Sequence, residues 1–528
     1  MQTAIRRTSK KLFQNREWMI LLVLSLLVIL LRWPSLEQPF DNDSGANAYH
    51  ARLIVRGEPL YGTHHPAHHT PAVYYTYALA FLLFGDSVWA VKFLLIPWTI
   101  ATAYLLYRLG VLLMDRPTGA LAAFFYAILS SHVWLFGTTA EIELFANLPR
   151  TAAILVLMHL TTRRAEAWKF AFVGLLSAVA FLFKAVYLSP LIIAGLVVLI
   201  KLWQARATAG AWRKTMMCGL WTGIGFAIGL LPVVAYFGSL GLLPRFLLVF
   251  TLGKSYTHFR QTASAFYQSL LLYPFFGLAV NNAALLIFSL AALLVAFISK
   301  LPRYRSQRNE GSPVVCYVSV WYILSFFEAG ITCAPFLHYY LLIVPPLALL
   351  AAWFLLKLHH NVKHQVRVAS RFAATSLLVV LLTITLLISA KQNYRYYSLY
   401  AQYKLGTKAY EDFLLDGWSD SGGAELIRIQ ELSDYIQEHT SSADYIYYWS
   451  GGVQLYYVAD RRCPVDIIWP LYAEATGPYQ RIFVPQTKYI IVGESNNIPR
   501  PDWLYTELAG KYKLETVIQD QEVYRRVD

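Results

Sequence analysis

Two carboxylates two positions apart, Asp41 and Asp43, stand in the run Phe40-Asp41-Asn42-Asp43-Ser44-Gly45, a few residues after the first long apolar stretch. A short helical pattern follows, then the histidines His64, His65, His68 and His69, closed by Pro71. Carboxylates beside hydrocarbon cost free energy unless they are solvated, paired or used. The chemistry that wants an ionised carboxylate here is removal of a proton from an acceptor hydroxyl. Either acid can instead cap the helix that follows, and capping by both is the alternative reading.

The histidines admit three readings. Two His-His pairs four residues apart can bind zinc if they share a helix face, with His65, His69 and the more distant Glu143 as candidate ligands for a divalent cation. Pro66 and Pro71 oppose a regular helix there. Phosphate recognition is the second reading, because histidine donates to anionic oxygens. A solvated loop is the third. Glu141 and Glu143 lie between two apolar spans and can orient a sugar, a cation or a basic partner, with Arg150 as a group that could neutralise one of them. His338-Tyr339-Tyr340 opens a late span before Pro345-Pro346. It reads either as a tyrosine interface belt or as a contact for a lipid phosphate. Lys184, Lys254, His258 and Arg260 are cations of the kind an isoprenoid phosphate needs.

These residues need a scaffold, and composition says what kind. The chain has 528 residues, 57% of them hydrophobic and only 14% charged, with a mean hydropathy of +0.43. About 11 apolar runs approach the ~20 residues that cross a bilayer. They are 18–33, 88–113, 118–136, 144–161, 168–186, 188–203, 217–237, 280–299, 314–331, 339–357 and 372–390. The net charge of +14 would suggest nucleic acid in a soluble protein, but here the basic residues collect in alternate loops, so no nucleic-acid partner is implied. The same alternation puts the N-terminus, with Arg6, Arg7, Lys10, Lys11 and Arg16, in the cytoplasm, and the Asp41/Asp43 loop outside. The first span reads as an uncleaved signal-anchor helix, because Trp33-Pro34 follows it and no small-residue cleavage pattern does. The four cysteines imply no disulfide framework.

Within the first outer loop, residues 44–56 carry a helical stripe with Asp43 at the N-cap position and Gly57 as the stop. Thr70-Pro71 starts a second, tyrosine-rich helix that ends at Gly85 and is placed flat in the membrane interface. The run from Gln261 to Ser299 carries no charge and is too long for one span, so its first half is expected to be re-entrant or interfacial. After residue 390 composition changes. An amphipathic stretch, Ala424–His439, and strand patterns at Asp444–Trp449, Thr487–Val492, Leu514–Ile518 and Glu522–Arg526 predict a small soluble α/β domain. Gly451-Gly452 reads as a tight turn in preference to a phosphate loop. The fold expected is a polytopic α-helical membrane protein with interfacial helices in its first outer loop. Its membrane domain covers 1–390 and its extracytoplasmic α/β domain 391–528.

Taken together, the segments FDNDSGANAYHARLIVRGEPLYG, HHTPAVYYTYALAFLLFG and HYYLLIVPPLALLAA resemble the glycosyltransferase-C superfamily. The nearest group is the family 39-like one, which holds protein O-mannosyltransferases and the lipid A aminoarabinose transferase. The resemblance covers about residues 18–390, and the soluble tail resembles that of many bacterial members. It implies inverting transfer from a polyprenyl-phosphate sugar to a lipid, glycan or protein acceptor at the outer face of the inner membrane, among membrane lipids. The acid of the first outer loop is the base. Asp43 matches the leading acid of the family's motif, while Ser44 stands where a second acid is usual, and Asp41 can substitute for it. His68 and His69 match a His-Lys pair that meets phosphate in relatives. Glu141 or Glu143 resembles the acid of the second outer loop, and His338 and Tyr340 match the His-Tyr start of a late span. Lys254 and Arg260 join the candidate phosphate contacts. The rival class is a transporter or lipid flippase, which would place ionisable groups in mid-span and show an internal repeat.

Overall fold

The computed structural model describes residues 2–62, 67–162, 165–206, 209–252, 263–298, 313–331, 333, 336–365, 368–417, 422–465, 468–470, 479–493 and 500–527. Helices dominate. In order they are α1 (Gln2–Arg32), α2 (Asn42–Val55), α3 (Ala72–Phe84), α4 (Val88–Leu113), α5 (Arg116–Leu129), α6 (Ile142–Thr162), α7 (Ala171–Phe183), α8 (Ser189–Gln204), α9 (Ala209–Ser239) and α10 (Leu243–Leu252). There follow α11 (Ala263–Tyr267), α12 (Tyr273–Ile298), α13 (Pro313–Gly330), α14 (Val344–Gln365), α15 (Val368–Lys404), α16 (Tyr410–Gly417), α17 (Gly422–His439), α18 (Leu455–Val458) and α19 (Asp502–Leu508).

Each of the eleven apolar runs overlaps one of these helices, with 118–136 and 339–357 also taking in 3-10 turns, but length divides them. Among the described residues, four helices are by themselves long and apolar enough to cross a membrane: Glu17–Glu37, Val88–Leu113, Ile142–Thr162 and Gly210–Ser239. A fifth counts if Thr375–Ile388 and Asn393–Lys404, bent by 54° at their junction, make one span. Large apolar side chains such as Leu30, Leu231, Leu294 and Leu387 stay exposed along α1, α9, α12 and α15, as expected of faces that meet lipid. The charge-free run is broken, as its length demanded: Asn282 leaves helical geometry (φ −139, ψ 28) inside α12 and splits the run there.

Local sequence explains the elements that carry the motif. Asp41, with extended backbone, caps α2: its Oδ1 accepts from the Ser44 amide at 3.2 Å. The cap is therefore Asp41 and not Asp43, which sits one residue inside the helix in its first turn. Gly57, at φ +89, reverses the chain after Arg56 and ends the helix, a conformation that costs any residue with a Cβ. The next helix starts one residue later than the Thr70-Pro71 reading, with Pro71 itself at the cap position.

C-terminal to α15 lies a four-stranded sheet, ordered β1-β2-β4-β3, of β1 (Tyr445–Trp449), β2 (Thr487–Val492), β3 (Tyr512–Ile518) and β4 (Gln521–Arg526). The first two strands pair in parallel, and the last two form the hairpin expected about Asp520. Gln519 and Asp520 both adopt positive φ there, the geometry of a two-residue turn that matches strand twist. This segment rests on α2. Arg52 meets Asp86 at 2.5 Å and Asp460 at 3.3 Å, with its guanidinium 3.9 Å above the Tyr457 ring. Arg56 also pairs with Asp460, and Arg462 with Glu58.

Candidate active site

Because Asp41 is committed to the cap, Asp43 is the acid left to face outward from the first turn of α2. Its Oδ2 stands 3.6 Å from Nε2 of His338, which belongs to a 3-10 turn, Leu337–Leu342. Phe336 stacks on the imidazole at 5.7 Å and Phe136 meets it edge-on at 6.0 Å, so the ring is held from two sides. Two buried cations fix the segments that bring the acids in. Lys92 of α4 donates to the carbonyls of Ser35 (2.9 Å), Gln38 (2.8 Å) and Pro39 (3.3 Å), immediately before the motif. Arg32 donates to the carbonyls of Ser130 (2.7 Å) and Gly137 (3.1 Å), in the loop that leads to Glu141. An ammonium and a guanidinium aimed at these carbonyls stabilise an irregular stretch of backbone.

Glu141 joins Asp43 and His338. One ligand atom from each of the three lies within 4.8 Å of the others. Thr139 Oγ1 donates to Glu141 at 3.0 Å, and the amide of Ala140 donates to Ser44 Oγ at 3.3 Å, tying the second loop to the first turn of α2. Burial and the negative charges of Asp41 and Asp43 push the Glu141 carboxyl well above the usual carboxylate range, and it hydrogen-bonds with Asp41. Burial, then Asp41, raises Asp43 to about 7, with Lys184 opposing. Burial lowers His338, with Lys184 adding to the effect and the acids opposing it. Two oxygen ligands and one nitrogen in this compass suit a divalent cation, and the crowding of carboxyls is what such a cation relieves. This is a different group from the His65, His69 and Glu143 set: His65 lies outside the described residues, and Glu143 is engaged elsewhere.

Glu143 opens α6 and is buried. Tyr187 donates to its Oε1 at 2.6 Å, and Lys184 approaches the same oxygen at 3.5 Å. The Lys184 ammonium also stands 3.8 Å from the centroid of the Tyr339 ring. Pro149, inside α6, cannot donate to the Phe145 carbonyl, and the Trp98 indole fills that place at 2.8 Å. Arg150 does not neutralise either acid of the loop. It pairs with Glu328 of α13 and donates to Asn147, Ser189, Ser325 and the Leu342 carbonyl. The sequence gives no hint of this partner, because Glu328 is remote in the chain.

His68 and His69 lie together, ring centroids 3.9 Å apart, beside Trp469 of the C-terminal segment. Tyr61 donates to the His69 carbonyl and the His69 amide donates to Tyr74, which fixes the loop. Burial lowers both imidazoles, His68 to about 3, with Lys184 pushing the same way. They are neutral donors, not cations, in this arrangement. The Tyr340 ring lies against Gly277 of α12. Lys254, His258 and Arg260, like His64, lie outside the described residues.

The site also holds groups that sequence reasoning missed. Asn42 donates to the Gly451 carbonyl. Gln454 lies against Gly45, and its Nε2 donates to Glu425 at 3.3 Å. The charge of Glu425 acts on Asp43, and that of Asp41 acts on Glu425. Periodicity assigns Glu425 and Gln454 only to the C-terminal segment, and a docking face has no local signature.

No protein-family model and no curated protein matches the chain. Solved structures do. ArnT from Cupriavidus metallidurans bound to undecaprenyl phosphate aligns over 96% of this chain and 97% of its own, at 12% identity and a TM-score of 0.56. The archaeal oligosaccharyltransferase AglB from Archaeoglobus fulgidus, in complex with an inhibitory peptide and a dolichol-phosphate, aligns over 91% of this chain and 69% of its own, at 13% identity and a TM-score of 0.52. The same oligosaccharyltransferase in complex with Zn and sulfate aligns over 90% and 68%, at 13% identity and a TM-score of 0.52. At such identities the likeness is one of fold alone: this chain shares the fold of ArnT and of AglB.

Proposed function

We propose that the protein is an inverting glycosyltransferase that moves a sugar from a polyprenyl-phosphate donor to a hydroxyl or phosphate acceptor at the outer face of a cell membrane. In this reading the membrane domain, 1–390, spans the bilayer about 11 times, and the domain 391–528 sits outside it. Asp43 takes the acceptor proton. The observation that carries the reading is the division of labour in one turn of helix: Asp41 is spent on the cap, while Asp43 is raised to about 7 and faces His338. A base is most useful when its pKa lies near the working pH.

The leaving group is a phosphodiester turned phosphomonoester, so it departs without a general acid, and a single displacement with inversion follows. His338, His68 and His69, with Lys184 behind them, are the described groups suited to the phosphate, and Lys254 and Arg260 stay candidates for it. Preorganised donors aimed at developing negative charge stabilise the transition state. Asp41, Glu141, Glu143 and Tyr340 orient the motif and the substrates. A divalent cation held by Asp43, Glu141 and His338 would offset the crowded carboxylates and polarise a phosphate oxygen. The bound undecaprenyl and dolichol phosphates of the two structural neighbours support the class of donor.

The test is turnover. The purified chain in lipid nanodiscs is given a panel of undecaprenyl-phosphate sugars with candidate hydroxyl acceptors, and undecaprenyl phosphate is measured. Release dependent on both protein and acceptor is expected with one donor of the panel. Tight binding of undecaprenyl phosphate with no release from any donor would contradict the reading and favour a flippase.

A further inference from the structure

One side of the first turn of α2 meets Glu141 and His338. Another is covered by the C-terminal segment, and that cover is close. A Cβ built on Gly45 would lie 2.2 Å from Cβ of Gln454 and 2.9 Å from its Cα, so only glycine permits the approach. The Gly451 carbonyl accepts from Asn42 of the same turn. These contacts bring Gln454 and Glu425 to the acids although neither belongs to the membrane helices.

The polar atoms gathered there are unbalanced. Gln454 is 1% exposed. Its Nε2 donates to Glu425, and a carboxylate oxygen fixes which end of the amide faces it. The Oε1 is left buried with no partner, and so is Oδ1 of Asn42. A buried oxygen without a partner is costly, so these two, both at the contact between α2 and the C-terminal segment, mark a place for hydrogen-bond donors. A saccharide supplies several neutral hydroxyl donors within a few ångströms.

We propose that Gln454 and Glu425 of the C-terminal segment, with Asn42 of α2, form a subsite that binds the hydroxyls of a saccharide acceptor beside Asp43. The word acceptor rests on the transferase reading, whereas the binding of a saccharide does not. The C-terminal segment thereby becomes part of the site that chooses the acceptor.

The test uses the full chain in nanodiscs. The probes are the methyl glycosides of glucose, galactose, mannose, arabinose and xylose, with ethanolamine as the charged competitor, observed by saturation-transfer NMR. Undecaprenyl phosphate is titrated separately by tryptophan fluorescence. At least one methyl glycoside is expected to bind the native protein. Gln454→Leu and Glu425→Gln should each weaken it by about tenfold or more, with undecaprenyl-phosphate affinity held within about twofold. Four outcomes overturn the proposal: no glycoside binds, ethanolamine alone binds, glycoside affinity survives both variants, or undecaprenyl-phosphate affinity falls in step with it. If the native protein binds a glycoside but not undecaprenyl phosphate, the transferase reading fails and the subsite stands.

Discussion

Asp43, in the first turn of α2, and His338, in the 3-10 turn before α14, are remote in the chain and meet at 3.6 Å. Their meeting is prepared on both sides. Asp41 caps α2 and so leaves Asp43 free, while two phenylalanine rings hold the imidazole in place. Distances of this kind let the histidine respond to a proton on the carboxylate, or share a cation with it.

The rate should follow the Asp43 carboxyl with pH. Its pKa is raised from 3.8 to about 7, by burial first and by Asp41 next, with Lys184 opposing. In protein freed of divalent cations by EDTA, turnover is expected to rise between about pH 6 and pH 8 as the base ionises. Stability should run the other way. Between 3.8 and about 7 the folded state holds a proton that the unfolded chain has lost, so stability falls as pH rises through that window. Glu141, raised in the same direction, adds to the trend. A turnover profile flat across this range would contradict the assignment.

Lys184 and Glu143 should behave as a pair. Glu143 is 1% exposed, and Lys184 with Tyr187 compensates it. Lys184→Met leaves a buried carboxylate without its cation, at a cost of about 3–5 kcal/mol. The double variant Lys184→Met/Glu143→Gln should recover much of that loss in denaturant unfolding. Additive losses would show that the two do not interact.

Zinc or manganese should bind the purified protein, because Asp43, Glu141 and His338 offer three ligand atoms within 4.8 Å. Affinity measured by calorimetry should rise with pH, since the carboxyls must shed protons to ligate. Glu141→Gln and His338→Ala should each lower it by about tenfold or more. Unchanged affinity in both variants would move the cation elsewhere.

Arg150 and Glu328 are a staple between α6 and α13, with hydrogen bonds reaching α8 and the 3-10 turn that carries His338. Breaking such a pair by one partner is costlier than replacing both. Arg150→Met should therefore destabilise more than Arg150→Met/Glu328→Leu, and the double variant should keep measurable turnover. A transporter that moves protons or ions along this pair would lose its activity in the double variant.

The helices were legible wherever periodicity or length decided them. The eleven apolar runs each overlap a helix, β2 spans Thr487–Val492 as expected, and the final hairpin turns about Asp520. Asp41 against Asp43 was legible only as a choice, because either acid can cap and the register of α2 settles which one does. Arg150 went to Glu328, and Lys184 went to Glu143, because long-range pairing depends on helix packing that no local pattern encodes. The histidines read as groups that donate to phosphate oxygens, and their charge was not legible, because it is burial that lowers His68 and His69. Glu425 and Gln454 were invisible as site residues for the same reason as any docking face: nothing in their own neighbourhood marks it.

The most direct measurement compares Asp43→Asn with Asp41→Asn in acceptor-dependent release of undecaprenyl phosphate, alongside the affinity of each for undecaprenyl phosphate. Asp43→Asn keeps the shape and removes the base, so turnover should fall by about a hundredfold or more while affinity holds. Asp41→Asn keeps an acceptable cap, and asparagine caps about as well as aspartate, so its turnover should fall far less. Equal turnover of Asp43→Asn and the native protein, or a larger loss in Asp41→Asn, would contradict Asp43 as the base.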